Sequence, residues 1–262
     1  MRLAKNRATL ILLATMLFGI ALPCAAQRRQ IRVAAAADLQ TALPEVARAF
    51  EADTGTHVEM VFGSSGNFFA QIRNGAPFDL FLSADNDYPR TLEDSGLVLP
   101  NSRIVYGRGR IALWMSPNSP CDPRREAWKC LSDSSVKKIA IANPAHAPYG
   151  RAAVASLRAA GLYDQLKEKL VLGENISQAA QFMQSGNVQA GIIAYSLALS
   201  PAMRAGKWWE IPAGLYPAIE QSGVILKAAK NQQAARQFLT FVTQGPGRAV
   251  LERHGFLAPP AR

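Results

Sequence analysis

The 262-residue chain is poor in the residues that most often carry catalysis or metal binding. It has three histidines and three cysteines, and no histidine stands at zinc-ligand spacing from a cysteine. Its 29 lysines and arginines outnumber 19 acidic residues, but they are scattered singly, which argues against a polybasic arm for nucleic acid. Low-complexity stretches are absent, and 49% of the residues are hydrophobic. The composition excludes a disordered chain and predicts one large or two medium domains.

The first 26 residues have the composition of a secretory signal peptide. Met1 to Ala26 contain a basic start, an apolar stretch over 10–22 and a small-residue exit. The alternative is a transmembrane helix, but the apolar stretch is shorter than the roughly 20 residues that a bilayer core requires. Lipidation at Cys24 is disfavoured by the proline that precedes it. We therefore predict export to the periplasm, with a mature chain that begins near Gln27.

Removal of that segment leaves two cysteines, Cys121 and Cys130. An oxidising compartment favours their pairing in a disulfide. Two free buried thiols are the alternative.

Strands and helices alternate along most of the chain. Strands are predicted at 30–36, 57–62, 78–82, 138–142 and 188–194, and helices follow at 38–50, 67–74, 150–161, 177–184, 232–242 and 247–255. This is the rhythm of parallel α/β sheets. Because longer extended passages at 103–115 and 216–226 interrupt it, the sequence predicts two α/β units joined by two crossing segments.

Four strand ends lead into helix starts that are rich in small or hydroxylated residues. They are Ala37-Asp38, Ser64-Ser65, Pro148-Tyr149-Gly150 and Asn175-Ile176. The first N–H groups of a helix lack intrahelical acceptors and carry the positive end of its dipole, so converging starts form an anion site without a formal charge. For any single turn the alternative is ordinary loop chemistry.

Enzyme motifs are incomplete in this chain. Gly63 to Asn67 lies at a strand-to-helix turn, as a hydrolase nucleophile does, but Asn67 replaces the second glycine of G-x-S-x-G. Gly107-Arg108-Gly109 lacks the third glycine of a dinucleotide fingerprint, and no phosphate-binding P-loop occurs. We predict a protein that is not an enzyme, with an exported serine hydrolase using Ser65 as the remote alternative.

Four stretches closely resemble the periplasmic molybdate-binding proteins of ABC transporters. They are Ala34-Ala35-Ala36-Ala37-Asp38-Leu39, Gly63-Ser64-Ser65-Gly66, the run from Asn74-Gly75-Ala76-Pro77-Phe78 to Leu82-Ser83-Ala84-Asp85, and Asn143-Pro144 to Tyr149-Gly150. The resemblance extends from about Ile31 to Phe256. It implies a two-lobed, type II periplasmic binding protein fold with a ligand cleft. Lobe 1 would comprise 27–108 and 219–262, lobe 2 would comprise 109–218, and the hinges would lie near 105–112 and 214–222.

The same resemblance implies the function. A monomeric protein would capture molybdate, and tungstate, through neutral hydrogen bonds and deliver it to a membrane permease. No cofactor and no nucleic acid would be involved, and Mo or W would be present only inside the oxyanion, without a direct bond to protein. The alternative is a binding protein of the same fold for another small anion or a neutral ligand.

The family's oxyanion contacts fall on Asp38, Ser65, Tyr149, Ile176 and Ala194. Ser65 matches the usual hydroxyl and amide donor, and Ile176 would contribute its backbone N–H. Many members have a tyrosine at the position of Ala194. Here Tyr195 is next to it and would face the other way on a strand, so Tyr149 is expected to supply the phenol.

Asp38 departs from the family, which usually has a neutral donor at that position. A carboxylate about 4 Å from each ligand charge would cost on the order of 4 kcal/mol per charge pair at an effective dielectric constant near 20. The side chain could turn away and cap residues 39–41, it could be protonated, or the ligand could differ from molybdate. We expect capping, because that is the common role of aspartate at a helix start.

Overall fold

The computed structural model describes residues 29–259. The predicted signal peptide, Met1 to Ala26, lies outside the described residues. Within 29–259 no helix is both long enough and apolar enough to cross a membrane.

Strands and helices alternate as the sequence predicts. The strands are β1 (Gln30–Ala36), β2 (His57–Gly63), β3 (Leu80–Ser83), β4 (Ile104–Gly109), β5 (Ile111–Met115), β6 (Ile139–Ala142), β7 (Leu170–Gly173), β8 (Ala190–Ala194), β9 (Lys207–Glu210) and β10 (Ile219–Ile225). The α-helices are α1 (Leu43–Thr54), α2 (Ser65–Arg73), α3 (Asp87–Asp94), α4 (Pro123–Glu126), α5 (Pro148–Ala159), α6 (Tyr163–Leu166), α7 (Ile176–Gln184), α8 (Tyr195–Ala198), α9 (Gln232–Thr243) and α10 (Gly245–Arg253). Short 3₁₀ helices span Ala37–Thr41, Ala127–Ser132, Lys167–Lys169, Pro201–Met203 and Ala213–Leu215.

The strands form two five-stranded sheets. The first sheet has the order β2-β1-β3-β10-β4, and the second has the order β7-β6-β8-β5-β9. The last four residues of β1 and all four residues of β3 are buried, as expected for strands that helices cover on both faces. Helix α1 ends where Gly55 adopts the left-handed conformation with φ 68°, which a glycine accommodates without strain.

The strands that alternate with helices pair in parallel, as predicted, but each sheet also contains antiparallel strands. β10 runs antiparallel to β3 and β4, and β5 runs antiparallel to β8 and β9. Both exceptions have one cause. The chain enters the second sheet through β5 and returns to the first through β10 without a crossover helix, so these strands insert in the opposite direction.

The chain passes between the sheets at two places. β4 and β5 belong to different sheets and are separated by Arg110 alone, and the return runs between Glu210 and Ile219. We refer to the elements of the first and second sheets as the first and second units. Each sheet is packed into its own apolar core. The exact lobe boundaries remain a prediction.

A disulfide joins Cys121 and Cys130 in the second unit, with their Cα atoms 5.4 Å apart. Both cysteines are buried within the core of that unit. The bridge ties the segment that precedes α4 to the 3₁₀ helix at Ala127–Ser132.

Candidate oxyanion site between the two sheets

The carboxyl ends of strands from both sheets meet at one pocket. β1, β2 and β3 contribute from the first unit, and the segments after β6 and β7 contribute from the second. The pocket is lined by Ala36, Ala37, Asp38, Gly63, Ser64, Ser65, Ala84, Ala147, Pro148, Tyr149, Asn175 and Ile176. Open α/β sheets bind ligands outside the carboxyl ends of their strands. All four predicted site residues, Asp38, Ser65, Tyr149 and Ile176, therefore line one pocket.

Helices α2, α5 and α7 all begin at this pocket. Ser64 caps α2 by accepting from the Asn67 N–H, and Asn175 caps α7 by accepting from the Ser177 and Gln178 N–H groups. The cap of α2 satisfies its third amide, and the cap of α7 satisfies its second and third amides. Neither cap accepts from the first amide of its helix. Within residues 29–259, the backbone N–H groups of Ser65, Tyr149 and Ile176 have no protein acceptor.

Ser65 adds a hydroxyl to these amides. Its Oγ accepts a hydrogen bond of 2.9 Å from the Ala84 N–H, and the residue is 1% exposed. Because Oγ acts as the acceptor in that bond, its own proton is available for another partner. The amide of Ala84 thus fixes the position of a hydroxyl donor at the start of α2.

Asp38 forms a buried polar network that joins the two units. Its Oδ2 accepts from the Tyr149 hydroxyl at 2.9 Å and from Gln221 Nε2 at 2.6 Å. Gln221 Nε2 also lies 2.9 Å from the tyrosine oxygen. We call these three side chains the Asp38 network. Burial raises the pKa of Asp38 from 3.8 to about 6, although the hydrogen bonds from Gln221 and Tyr149 lower it.

The prediction that Asp38 caps residues 39–41 is wrong. The 3₁₀ helix at Ala37–Thr41 has Ala36 at its N-cap, and no side chain caps it. The carboxylate points to Tyr149 and Gln221 instead, because these two side chains offer buried donors that the short helix cannot match. Gln221 lies on β10 and was not identified from the sequence.

Tyr149 also behaves differently from the expectation. The proton of its phenol goes to Asp38, so the phenol is not a free donor in this structure. Burial first, then the charge of Asp38, raises its pKa well above 10.0. What Tyr149 presents to the pocket is its backbone N–H at the start of α5.

Ala194 and Tyr195 lie at the junction of β8 and α8. Ala194 is fully buried and does not line the pocket. The guanidinium of Arg110 stacks 3.9 Å from the centroid of the Tyr195 ring, and Trp208 packs against the ring edge. Tyr195 therefore faces away from the pocket, as the strand geometry predicts.

Direct hydrogen bonds connect the two units around the pocket. The Gly66 N–H donates to the His146 carbonyl at 2.9 Å, and the Ser177 hydroxyl donates to Gln40 Oε1 at 2.7 Å. Arg151 Nη2 lies 2.6 Å from Asp85 Oδ2. These contacts close the pocket, whose free volume is about 10 Å³. That is about the size needed for one water molecule.

Ser65 has no general base. His146 Nδ1 lies 2.8 Å from the Oγ of Ser64, the neighbouring residue, and among the residues described no histidine contacts the Ser65 hydroxyl. A serine nucleophile requires a base within hydrogen-bond reach. The geometry therefore does not favour the hydrolase hypothesis.

A larger cavity of about 600 Å³ lies at the amino ends of the first-sheet strands, lined in part by Arg29, Arg32, Glu59, Asp79 and Lys230. Arg32 pairs there with Glu59 at 2.9 Å, and the Asp79 carboxylate accepts from the Arg32 and Lys230 backbone N–H groups. It offers no converging helix starts. We therefore place the candidate site in the smaller pocket.

Comparison with known proteins agrees with this architecture. The family described as bacterial extracellular solute-binding protein matches residues 31–257. The chain belongs to this family. This solute-binding protein is 37% identical to the molybdate-binding protein ModA of Azotobacter vinelandii, over 90% of this chain and 92% of the relative. It is 34% identical to ModA of Rhodobacter capsulatus, over 92% and 93% of the two chains.

A solved structure extends the likeness to three dimensions. The periplasmic molybdate-binding protein of Azotobacter vinelandii superposes with a TM-score of 0.82 and 33% identity. The match covers 88% of this chain and all of that one. The two-unit arrangement is therefore the periplasmic binding protein fold that the sequence predicts.

Proposed function

We propose that this solute-binding protein captures molybdate, and also tungstate, in the pocket between its two units, and delivers the oxyanion to the membrane permease of an ABC importer. The observation that carries the proposal is the convergence of helix starts from both units on one buried pocket. The relatives named as molybdate-binding proteins support the choice of ligand. The predicted signal peptide supports a periplasmic location.

The donors of the proposed site are neutral. The backbone N–H groups of Ser65, Tyr149 and Ile176 and the Ser65 hydroxyl would bond to the ligand oxygens. A hydrogen bond to a charged group contributes about 1.5–3 kcal/mol. Four such bonds contribute about 6–12 kcal/mol before the cost of ordering the complex, and micromolar binding corresponds to about 8 kcal/mol net. Capture and release of the ion make and break no covalent bond, so the proposed function requires no cofactor.

Closure would provide the selectivity. The donors of α2 lie on the first unit, and those of α5 and α7 lie on the second, so the site is complete only when the units approach. A free volume of about 10 Å³ is too small for a tetrahedral oxyanion, so the units would part about the two crossing segments to admit it. An ion that is too small would not reach donors that rigid helices hold on both sides.

Calorimetry with a panel of anions tests the proposal. Molybdate and tungstate are expected to bind in the micromolar range or tighter, and sulfate and phosphate much more weakly. If sulfate bound as tightly as molybdate, or if no oxyanion bound, the assignment of the ligand would be wrong. A neutral small molecule as the tightest ligand would favour the other hypothesis within the same fold.

A serine variant tests the location of the site. Ser65→Ala removes the hydroxyl donor and is expected to weaken molybdate binding by about tenfold or more, since one charge-assisted hydrogen bond is lost. Ser185→Ala is the matched control, because Ser185 is exposed and its hydroxyl donates only to the Phe182 carbonyl. Equal affinities for the two variants would place the ligand elsewhere.

A further inference from the structure

We propose that Asp38 couples oxyanion binding to proton uptake: the pocket takes up one proton on this carboxylate for each molybdate dianion that it binds. The closed complex then holds a neutral carboxyl group beside the ligand. This inference rests on the proposed function and specifies how the site accommodates an acidic residue in its lining.

The position of the carboxylate is the first argument. Asp38 lines the pocket and is 0% exposed. Its Oδ2 accepts two hydrogen bonds, but Oδ1 is buried and has no hydrogen-bond partner among residues 29–259. An ionised carboxylate seeks donors at both oxygens, so a buried Oδ1 without a donor costs less when the carboxyl group is neutral than when it is ionised.

The absence of a compensating cation is the second argument. Within the described residues, no lysine, arginine or histidine bonds to the Asp38 carboxylate. A second anion that enters this lining meets repulsion that neutral donors do not cancel. A proton on Asp38 removes that repulsion at its source.

The other titratable groups that face Asp38 are neutral or already paired, so they do not offset the repulsion between its carboxylate and the ligand. Tyr149 from α5 and Tyr106 from β4 are buried phenols whose pKa values lie well above 10.0, chiefly because of burial. Both are therefore neutral at the working pH. Asp85 and Arg151 form an ion pair with each other at 2.6 Å, so the charge of Arg151 is already compensated.

The other elements packed against Asp38 contribute no free charge. Helix α7 contains no titratable residue. In α8, the Ser196 hydroxyl donates to the backbone carbonyl of Asp38. The guanidinium of Arg110 stacks on the ring of Tyr195 and is paired with Glu210, so its charge is already compensated. The Asp38 carboxyl is thus the group that is free to change its charge when a dianion arrives.

Gln221 acts as the positioning residue. Its amide offers either an NH₂ donor or a carbonyl acceptor to the same partner, and its Oε1 is buried and unpartnered in this structure. With Asp38 ionised, the NH₂ group donates to Oδ2 at 2.6 Å. With Asp38 protonated, a turned amide would accept that proton. The Asp38 network therefore holds the carboxyl in place in both protonation states.

The pKa of Asp38 makes the proposed proton uptake measurable near neutral pH. Burial raises the pKa of Asp38 to about 6, so at pH 7.5 the ligand-free carboxyl is mostly ionised. The dianion would raise this pKa further. The protein then takes up close to one proton on binding at pH 7.5, and the molybdate affinity falls about tenfold for each pH unit above 6.

Calorimetry in buffers of different ionisation enthalpy measures this proton directly. Titrations of molybdate at pH 7.5 in two such buffers are expected to show uptake of nearly one proton per ion. Wild-type protein that binds molybdate with no proton uptake, and with an affinity independent of pH between 6 and 8, would overturn the inference. The proposed function would survive that result. No molybdate binding at any pH would instead overturn the proposed function.

Asp38→Asn assigns the proton to its residue. The variant keeps the shape but cannot ionise, so it is expected to bind molybdate without proton uptake and about a hundredfold tighter than wild type at pH 8. Asp164→Asn is the matched control, because the Asp164 side chain is 92% exposed, and it should retain the wild-type proton count. Proton uptake that persists in Asp38→Asn would refute the assignment. If Asp38→Asn did not fold, the wild-type proton count would still decide.

Discussion

The Asp38 carboxylate should reduce the stability of the ligand-free protein above neutral pH. Its pKa is raised from 3.8 to about 6 by burial, so the folded protein binds its proton more tightly than the unfolded chain does. Near pH 3.8 and below, both states are protonated and the group has no net effect. As the pH rises from 3.8 to about 6, the unfolded chain ionises while the folded carboxyl stays protonated, so stability falls, and the loss is complete once the folded carboxyl has ionised too.

The size of this effect follows from the shift. One pKa unit corresponds to about 1.4 kcal/mol, so the change from 3.8 to about 6 corresponds to about 3 kcal/mol. Wild type should lose this amount between pH 4 and pH 7.5 relative to Asp38→Asn, which cannot ionise. For a chain of this size it corresponds to roughly 6–12 °C in the unfolding temperature.

Thermal unfolding of the two proteins across this pH range measures the difference. Other groups titrate as well, so the quantity of interest is the wild-type curve minus the variant curve, with Asp164→Asn as the exposed control. A difference that does not change with pH would refute the reasoning. If wild type instead lost stability relative to Asp38→Asn as the pH fell, the environment of Asp38 would stabilise its charged form.

Three further changes test contacts around the pocket. Arg151→Gln removes the 2.6 Å ion pair with Asp85 that bridges the two units. If closure depends on this ion pair, calorimetry should show molybdate affinity reduced several-fold. Unchanged affinity would exclude a role of the ion pair in closure. Gly109→Ala places a Cβ against the hydroxyl and amide of the Asp38 network, so it should lower the unfolding temperature, whereas Gly214→Ala, which faces open space, should not. Reduction of the disulfide should lower stability by roughly 2–3 kcal/mol and leave molybdate affinity unchanged, because the bridge does not line the pocket.

The sequence predicts the alternating elements but not the direction of every strand. Periodicity locates the long elements, and the structure confirms the strands at Gln30–Ala36 and Ala190–Ala194 and the helix at Gln232–Thr243. It misses β9, Lys207–Glu210, whose sequence Lys-Trp-Trp-Glu shows no alternation, and whose pairing with β5 is a tertiary event. The extended passage predicted at 103–115 is divided into β4 and β5, which belong to different sheets. A local sequence pattern does not reveal which sheet a strand joins.

The candidate site was predictable where it depends on helix starts and not where it depends on side-chain partners. Strand ends followed by small or hydroxylated residues locate Ser65, Tyr149 and Ile176, because backbone amides at helix starts are free in any such fold. Gln221 carries no local signal: it lies within strand β10 beside other polar residues, and its role comes from meeting Asp38 across 183 residues of sequence. The capping prediction failed for the same reason. The local preference of aspartate for a helix start was outweighed by hydrogen bonds from Tyr149 and Gln221, which are buried and distant in the chain.

The Asp38 network lies where closure and ligand charge act together. Asp38 belongs to the first unit, Tyr149 to the second, and Gln221 to the strand by which the chain returns from the second sheet to the first. A change of charge on Asp38 therefore alters a contact between the units as well as the field in the pocket. A pocket of neutral donors alone would bind a dianion equally well at any pH at which the dianion exists. The buried carboxyl adds a proton to that equilibrium, so the loaded protein would hold the ligand tightly in mildly acidic solution and release it more readily as the pH rises.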